Sequence, residues 1–124
     1  MPANPVRVLV VDDCEEATQL LASVLGRRGH EVRVAHDVEA ALQIAQEFTP
    51  EVALLDIMIR CESGFFLAQR LRELPGLDGC RLIAMSGFEL EQHRELSEAS
   101  GFRSQLRKPI EPVGLFEAIE GVDH

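Results

Sequence analysis

Three runs of four consecutive apolar residues in this chain end on an aspartate or a serine. Val8-Leu9-Val10-Val11 meets Asp12-Asp13, Val52-Ala53-Leu54-Leu55 meets Asp56, and Leu82-Ile83-Ala84-Met85 meets Ser86. Short apolar runs without alternation fit strands covered on both faces, as in a parallel sheet. Amphipathic segments separate them, and run and segment alternate five times, the pattern of repeated βα units. Val32, Val34 and Ala35 around Arg33 read as a half-exposed edge strand, and Ser104, Gln105 and Leu106 as the fifth strand. Right-handed crossovers then predict an α/β fold: a doubly wound, five-stranded parallel sheet with helices on both faces.

The helical segments carry their own punctuation. Ala17, Leu20, Leu21, Val24 and Leu25 recur at helical spacing, and Arg27-Arg28-Gly29 supplies cations and a stop. Asp37 reads as the N-cap of a second helix that turns Val38, Ala41, Leu42 and Ala45 inward and must end before Pro50. A third is expected from about Gly64 to Glu73, with Leu67, Leu71 and Leu74 inward, ended by Pro75-Gly76. Glu89 to Ser100 predicts a fourth, thinly anchored by Leu90, Leu96 and Ala99, and therefore a candidate moving part. The last begins near Pro112, a favoured first helical position, and buries Leu115, Phe116 and Ile119.

A chain of 124 residues fits one domain, expected over residues 6–120 with short tails at 1–5 and 121–124. Its formal net charge of -9 disfavours nucleic acid and anionic membrane, which need clustered positive charge. Neither a membrane span nor a signal peptide is recognisable in the sequence. Cys14, Cys61 and Cys80 are odd in number and widely spaced, which supports neither a disulfide framework nor a zinc site and points to a reducing cytoplasm. His30, His36, His93 and His124 have no metal-ligand spacing and are expected on the surface.

If the runs are parallel strands, Asp12, Asp13, Asp56, Ser86 and the only lysine, Lys108, gather at the carboxyl edge of one sheet, where open α/β folds bind ligands. Adjacent carboxylates repel unless a cation neutralises them, and a hard ion with oxygen ligands, Mg2+ or Mn2+, fits better than zinc. Taken alone, Asp12-Asp13 reads equally well as the cap and first-turn acids of the helix that follows. A carboxylate can also attack phosphorus, with a lysine and a metal offsetting charge on the phosphoryl oxygens and a serine hydroxyl donating to one of them.

From Val6 to about Glu120 the chain resembles the receiver domains of two-component response regulators. The matching residues are Val10-Val11-Asp12-Asp13, Leu55-Asp56 with Gly64 eight residues later, Ser86-Gly87, and Lys108-Pro109. The resemblance implies a flavodoxin-like sheet of order 2-1-3-4-5. It implies Asp56 as phosphoacceptor from a sensor histidine kinase or histidine phosphotransfer protein. Asp13 would be a direct metal ligand, Asp12 would act largely through water, and the Met58 backbone carbonyl would complete the protein's ligands. Ser86 and Lys108 would hold the phosphoryl group. The implied role is a cytoplasmic phosphorelay switch rather than an enzyme, speaking to an unknown downstream protein. Its output face would be formed by the Glu89–Ser100 helix, the fifth strand and the last helix, a surface through which receivers also form homodimers.

Two positions depart from the family pattern. Arg60 stands where a proline is common, and Gln105 replaces the aromatic residue that changes rotamer on activation. Met58 and Phe88, the two positions that most affect the hydrolytic water in receivers, are apolar, so slow self-dephosphorylation is expected. Three other readings compete. A metal-dependent phosphatase using an aspartyl-phosphate would need a carboxylate where Met58 stands. A flavin domain would place its cofactor phosphate against Asp-Asp-Cys-Glu-Glu, whose charge repels it. A degenerate receiver would act only as a protein-interaction module.

Overall fold

A computed structural model describes residues 5–59, 62–86, 102–108 and 110–120. Five strands form one sheet: β1 (Arg7–Val11), β2 (Glu31–Ala35), β3 (Val52–Asp56), β4 (Arg81–Ser86) and β5 (Phe102–Arg107). All pairings are parallel and the order is 2-1-3-4-5. Four helices accompany them among the described residues: α1 (Glu15–Arg27), α2 (Val38–Phe48), α3 (Gly64–Arg72) and α4 (Pro112–Glu120). The expected Glu89–Ser100 helix lies outside the described residues.

Strand periodicity divides the apolar residues between two cores, one on each face. Leu9, Val11, Ala53, Leu55, Leu82 and Ala84 pack toward α2 and α3 with Ala41, Ala45, Leu67 and Leu71. Val8, Val10, Val52, Leu54, Ile83 and Met85 pack on the other face with Leu21, Leu25, Leu115 and Ile119 of α1 and α4. The central strands β1 and β3 are buried on both faces, which is why they read as unbroken apolar runs. The β2 edge keeps the half-exposed alternation its sequence carries.

Among the described helices the signals hold, and two expectations need correction. The Asp37 side chain accepts from the Ala40 N–H at 2.7 Å and caps α2 as expected. On α1, however, Leu20 is 65% exposed, and the inward stripe is Thr18, Leu21 and Leu25. Thr18 can turn inward because its hydroxyl is satisfied twice, donating to the Glu15 carbonyl at 2.9 Å and pairing with His36 Nε2 at 3.0 Å. The second correction is His30, expected on the surface and found with a fully buried side chain. Its Nδ1 accepts the Val6 N–H at 3.1 Å, which places the ring proton on Nε2, 3.1 Å from Glu120 Oε2.

Beyond β3 the backbone makes a small antiparallel ladder that periodicity did not announce, Met58–Ile59 against Glu62–Ser63. It leads directly into α3. Between β4 and β5 the register shifts after Leu82, so that Phe102 faces Leu82 but Ser104 faces Ile83. With that extra residue accommodated, Ser86 and Arg107 close the two strands level, and Lys108 is the first residue past the edge.

Candidate functional site

The sheet register brings the predicted residues to one edge. Val11 pairs with Ala35 on one side and Leu55 on the other, so Asp12 and Asp56 are each one step beyond the same pair. The Asp12 N–H donates to the Ala35 carbonyl at 3.2 Å, extending the ladder by one bond and fixing the backbone that carries the acidic pair. Asp56 pairs with Met85, and Ser86 therefore ends one residue further along the neighbouring strand. Ser86 is placed by its backbone at this edge, as is Met58 in the ladder that follows Asp56.

Asp12 and Asp56 are buried while Asp13 is exposed, and one carboxylate oxygen of each lies within 4.8 Å of the others. At that separation two carboxylates repel by about 3 kcal/mol in a surroundings of effective dielectric near 20. Such a set persists because something positive is close. Lys108 Nζ sits 2.9 Å from Asp12 Oδ2 and 3.3 Å from Asp56 Oδ2, so one ammonium bridges the two buried carboxylates. Burial of that ammonium pulls its pKa down, but the hydrogen bond to Asp12 and the charges of Asp56 and Asp12 outweigh it, and the net shift is upward. Lys108 therefore stays charged at neutral pH.

The Asp12 carboxylate is held at both oxygens, with Oδ1 accepting the Cys14 N–H at 3.1 Å. This rules out the simple capping role that Asp12-Asp13 allowed in sequence. Cys14 is the N-cap of α1 and makes no side-chain cap bond, and Glu15 and Glu16 are the acids of the first turn. Neither aspartate is the N-cap of α1, and both belong to the edge cluster. Three oxygen donors from carboxylates, two buried and one facing solvent, form the donor set that a hard divalent cation takes, with room on the exposed side for retained waters.

An apolar cavity of about 360 Å³ adjoins the cluster, lined by Asp12, Cys14, Ala17, Leu20, Leu21, Met85, Lys108 and Ile110. The exposure of Leu20 is part of this groove rather than an isolated apolar residue. Gln105 lies within β5 opposite Ala84 and is half-buried. Arg60 and Phe88 lie outside the described residues.

No helix among the described residues is long and apolar enough to cross a membrane. The family model of the response regulator receiver domain matches residues 8–120. An uncharacterized 14.6 kDa protein from the sodA1 3' region of Leptolyngbya boryana is 32% identical over 113 residues, which cover 91% of this chain and 86% of that protein. The response regulator PleD of Caulobacter vibrioides is 31% identical over 116 residues, 94% of this chain but only 26% of PleD, so the chain spans about a quarter of that relative. The chemotaxis protein CheY4 of Vibrio cholerae superimposes with a TM-score of 0.88 at 25% identity, covering 97% of this chain and 100% of that one. With the matched residues spanning the sheet, the acidic edge and its lysine, the chain belongs to the receiver domains of response regulators.

Proposed function

We propose that this receiver, a domain over residues 6–120 with short tails at 1–5 and 121–124, accepts a phosphoryl group on Asp56. The donor is a phosphohistidine on a sensor kinase or a histidine phosphotransfer protein. The observation that carries this reading is the geometry at Asp56: a buried carboxylate 3.3 Å from an ammonium and within 4.8 Å of two further carboxylates.

In the transfer an Asp56 oxygen forms the new O–P bond as the P–N bond to the donor imidazole breaks, and the departing nitrogen takes up a proton. Lys108 already lies against the attacking carboxylate, close enough to move from Asp56 Oδ2 onto a phosphoryl oxygen as charge arrives there. Asp12 holds the lysine from the far side, which orients it without a large search. Asp12, Asp13 and Asp56, with the Met58 backbone carbonyl, would hold Mg2+ or Mn2+, which when bound offsets the negative charge of the phosphoryl oxygens. Ser86, at the end of β4, would donate its hydroxyl to one of them.

The protein then acts as a switch rather than on a substrate of its own, turning over only its own acyl phosphate, and slowly, because Met58 and Phe88 cannot orient a hydrolytic water. Its output would run through the face containing β5 and α4, to a downstream protein or a second copy of this chain. The test is phosphorylation by acetyl phosphate followed by intact mass. Wild type should gain one phosphoryl group in the presence of Mg2+ and none in excess chelator, and Asp56→Asn should gain none. Equal modification of Asp56→Asn would refute the assignment.

A further inference from the structure

We infer that Gly64 is a positioning residue for the acidic site, because only a residue without a Cβ lets the first turn of α3 lie against the Asp56–Ile57 peptide. The inference rests on Asp56 as phosphoacceptor and adds a residue on another element that holds it in place.

A Cβ built on Gly64 would overlap the Asp56 carbonyl oxygen, and it would lie 2.8 Å from Ile57 Cα and 3.1 Å from the Asp56 carbonyl carbon. All three are main-chain atoms, so no side-chain rotation relieves the overlap. The peptide is also held from both sides. The Gly64 N–H donates to the Ile57 carbonyl at 2.9 Å, and the Ile57 N–H donates to the Met85 carbonyl of β4 at 3.1 Å. Asp56 is itself in register with Met85, and Ile57 is 4% exposed, so the peptide has neither sheet nor solvent to retreat into. Any side chain at position 64 must therefore tip residues 56–57 or lift α3. A displacement on the order of 1 Å is enough to cost a positioned reaction about 100-fold. The same movement would carry the Met58 backbone, which enters the ladder directly after Ile57.

Two other described glycines are not of this kind. Gly79 has nothing within 4 Å of its built Cβ, and Gly114 meets only the end of the Leu106 side chain at 4.0 Å. Gly79→Ala is therefore the matched control.

The experiment compares wild type, Gly64→Ala and Gly79→Ala, with trimethylamine N-oxide added to keep the first variant folded and circular dichroism reporting the folded fraction. Amide exchange of the metal-free proteins is read at Ile57, then Mg2+ affinity by titration, then the rate of acetyl phosphate modification. Folded Gly64→Ala should lose protection at Ile57, bind Mg2+ at least tenfold more weakly and be modified about 100-fold more slowly, while Gly79→Ala matches wild type. Folded Gly64→Ala with wild-type exchange, Mg2+ affinity and rate would overturn the inference, and so would a loss of stability alone. If wild type itself shows no Mg2+-dependent modification at Asp56, the phosphoacceptor reading fails and takes this inference with it.

Discussion

The two ends of this sheet both gather charged side chains, and they treat them in opposite ways. At the amino end Glu120, the last residue of α4, receives Arg28 Nε at 2.8 Å and Nη2 at 2.6 Å, and His30 Nε2 lies 3.1 Å from the same carboxylate. Arg28 also stacks 4.3 Å above the Phe116 ring, and Arg81 donates to the Ala118 and Ile119 carbonyls that end α4. A carboxylate at a helix C-terminus is disfavoured by the helix dipole, so Glu120 is retained for these partners. At the carboxyl end one ammonium bridges Asp12 and Asp56, with the Asp13 carboxylate within 4.8 Å of both. The first cluster is matched donor for acceptor and fastens α1, α4 and the start of β1 together. The second crowds three carboxylates within 4.8 Å of one another, a condition that a cation or a change at Asp56 can relieve. Carboxylates matched by donors fasten a fold, and carboxylates crowded together equip it to respond to a cation.

The comparison is most exposed to failure at His30. His30→Ala should cost about 3 kcal/mol, since it opens a cavity and leaves the Val6 N–H without its acceptor. Asp13→Asn removes one of three crowded carboxylates and should not lower stability. Urea denaturation of both decides this, and similar losses would erase the distinction between the two ends. Kinetics should reverse the ranking. Lys108→Met is expected to slow acetyl phosphate modification about 100-fold, in the range for removing one donor to developing charge, while Glu120→Gln leaves the rate of the folded protein unchanged.

Ligand linkage offers a smaller effect. Mg2+ at ten times its dissociation constant should stabilise the wild type by about 1.4 kcal/mol. The increment should vanish in Asp12→Asn and persist in Glu120→Gln, as thermal melts with and without the ion would reveal. The two ends should also fail at opposite extremes of pH. The Arg28 hydrogen bonds, aided by His30 and opposed by burial, hold Glu120 below its ordinary 4.5. Its contribution is complete above that value and lost as pH falls through the lower folded one. Lys108 is raised above 10.5, so its contribution is complete below that value and lost as pH rises through the higher folded one. Urea midpoints in acid should converge for wild type and Glu120→Gln, and in alkali for wild type and Lys108→Met.

The smallest effect concerns Thr49, which ends α2 with φ of 45° and is held there by Arg7 Nε, 3.1 Å from the Phe48 carbonyl and 2.9 Å from that of Thr49. A β-branched residue is strained in this region, and Thr49→Gly should gain about 0.5 kcal/mol after the entropy glycine adds to the unfolded chain. A lower urea midpoint in that variant would mean the hydroxyl bond to the Phe48 carbonyl outweighs the strain.

Sequence alone determined what local periodicity and chemistry can encode. Unbroken apolar runs marked β1, β3 and β4 because both faces of those strands are covered, and the polar residue ending each run placed Asp12, Asp56 and Ser86 at one edge. Asp37 announced its helix because a cap bonds three residues away. What escaped depends on partners remote in the chain. The burial of His30 is made tolerable by Val6 and Glu120, the latter 90 residues on, and no pattern around His30 contains them. The stripe of α1 rotated past Leu20 because His36 satisfies the Thr18 hydroxyl, a bond between separate elements. Gly64 belonged to a legible motif, yet its reason, the main chain of Asp56 and Ile57 lying against it, exists only once α3 has docked. Lys108 could be placed at the edge from its position after β5, but that it bridges Asp12 and Asp56, 96 residues from the first, was decided by the sheet register, because three strands must align before one ammonium can reach both carboxylates.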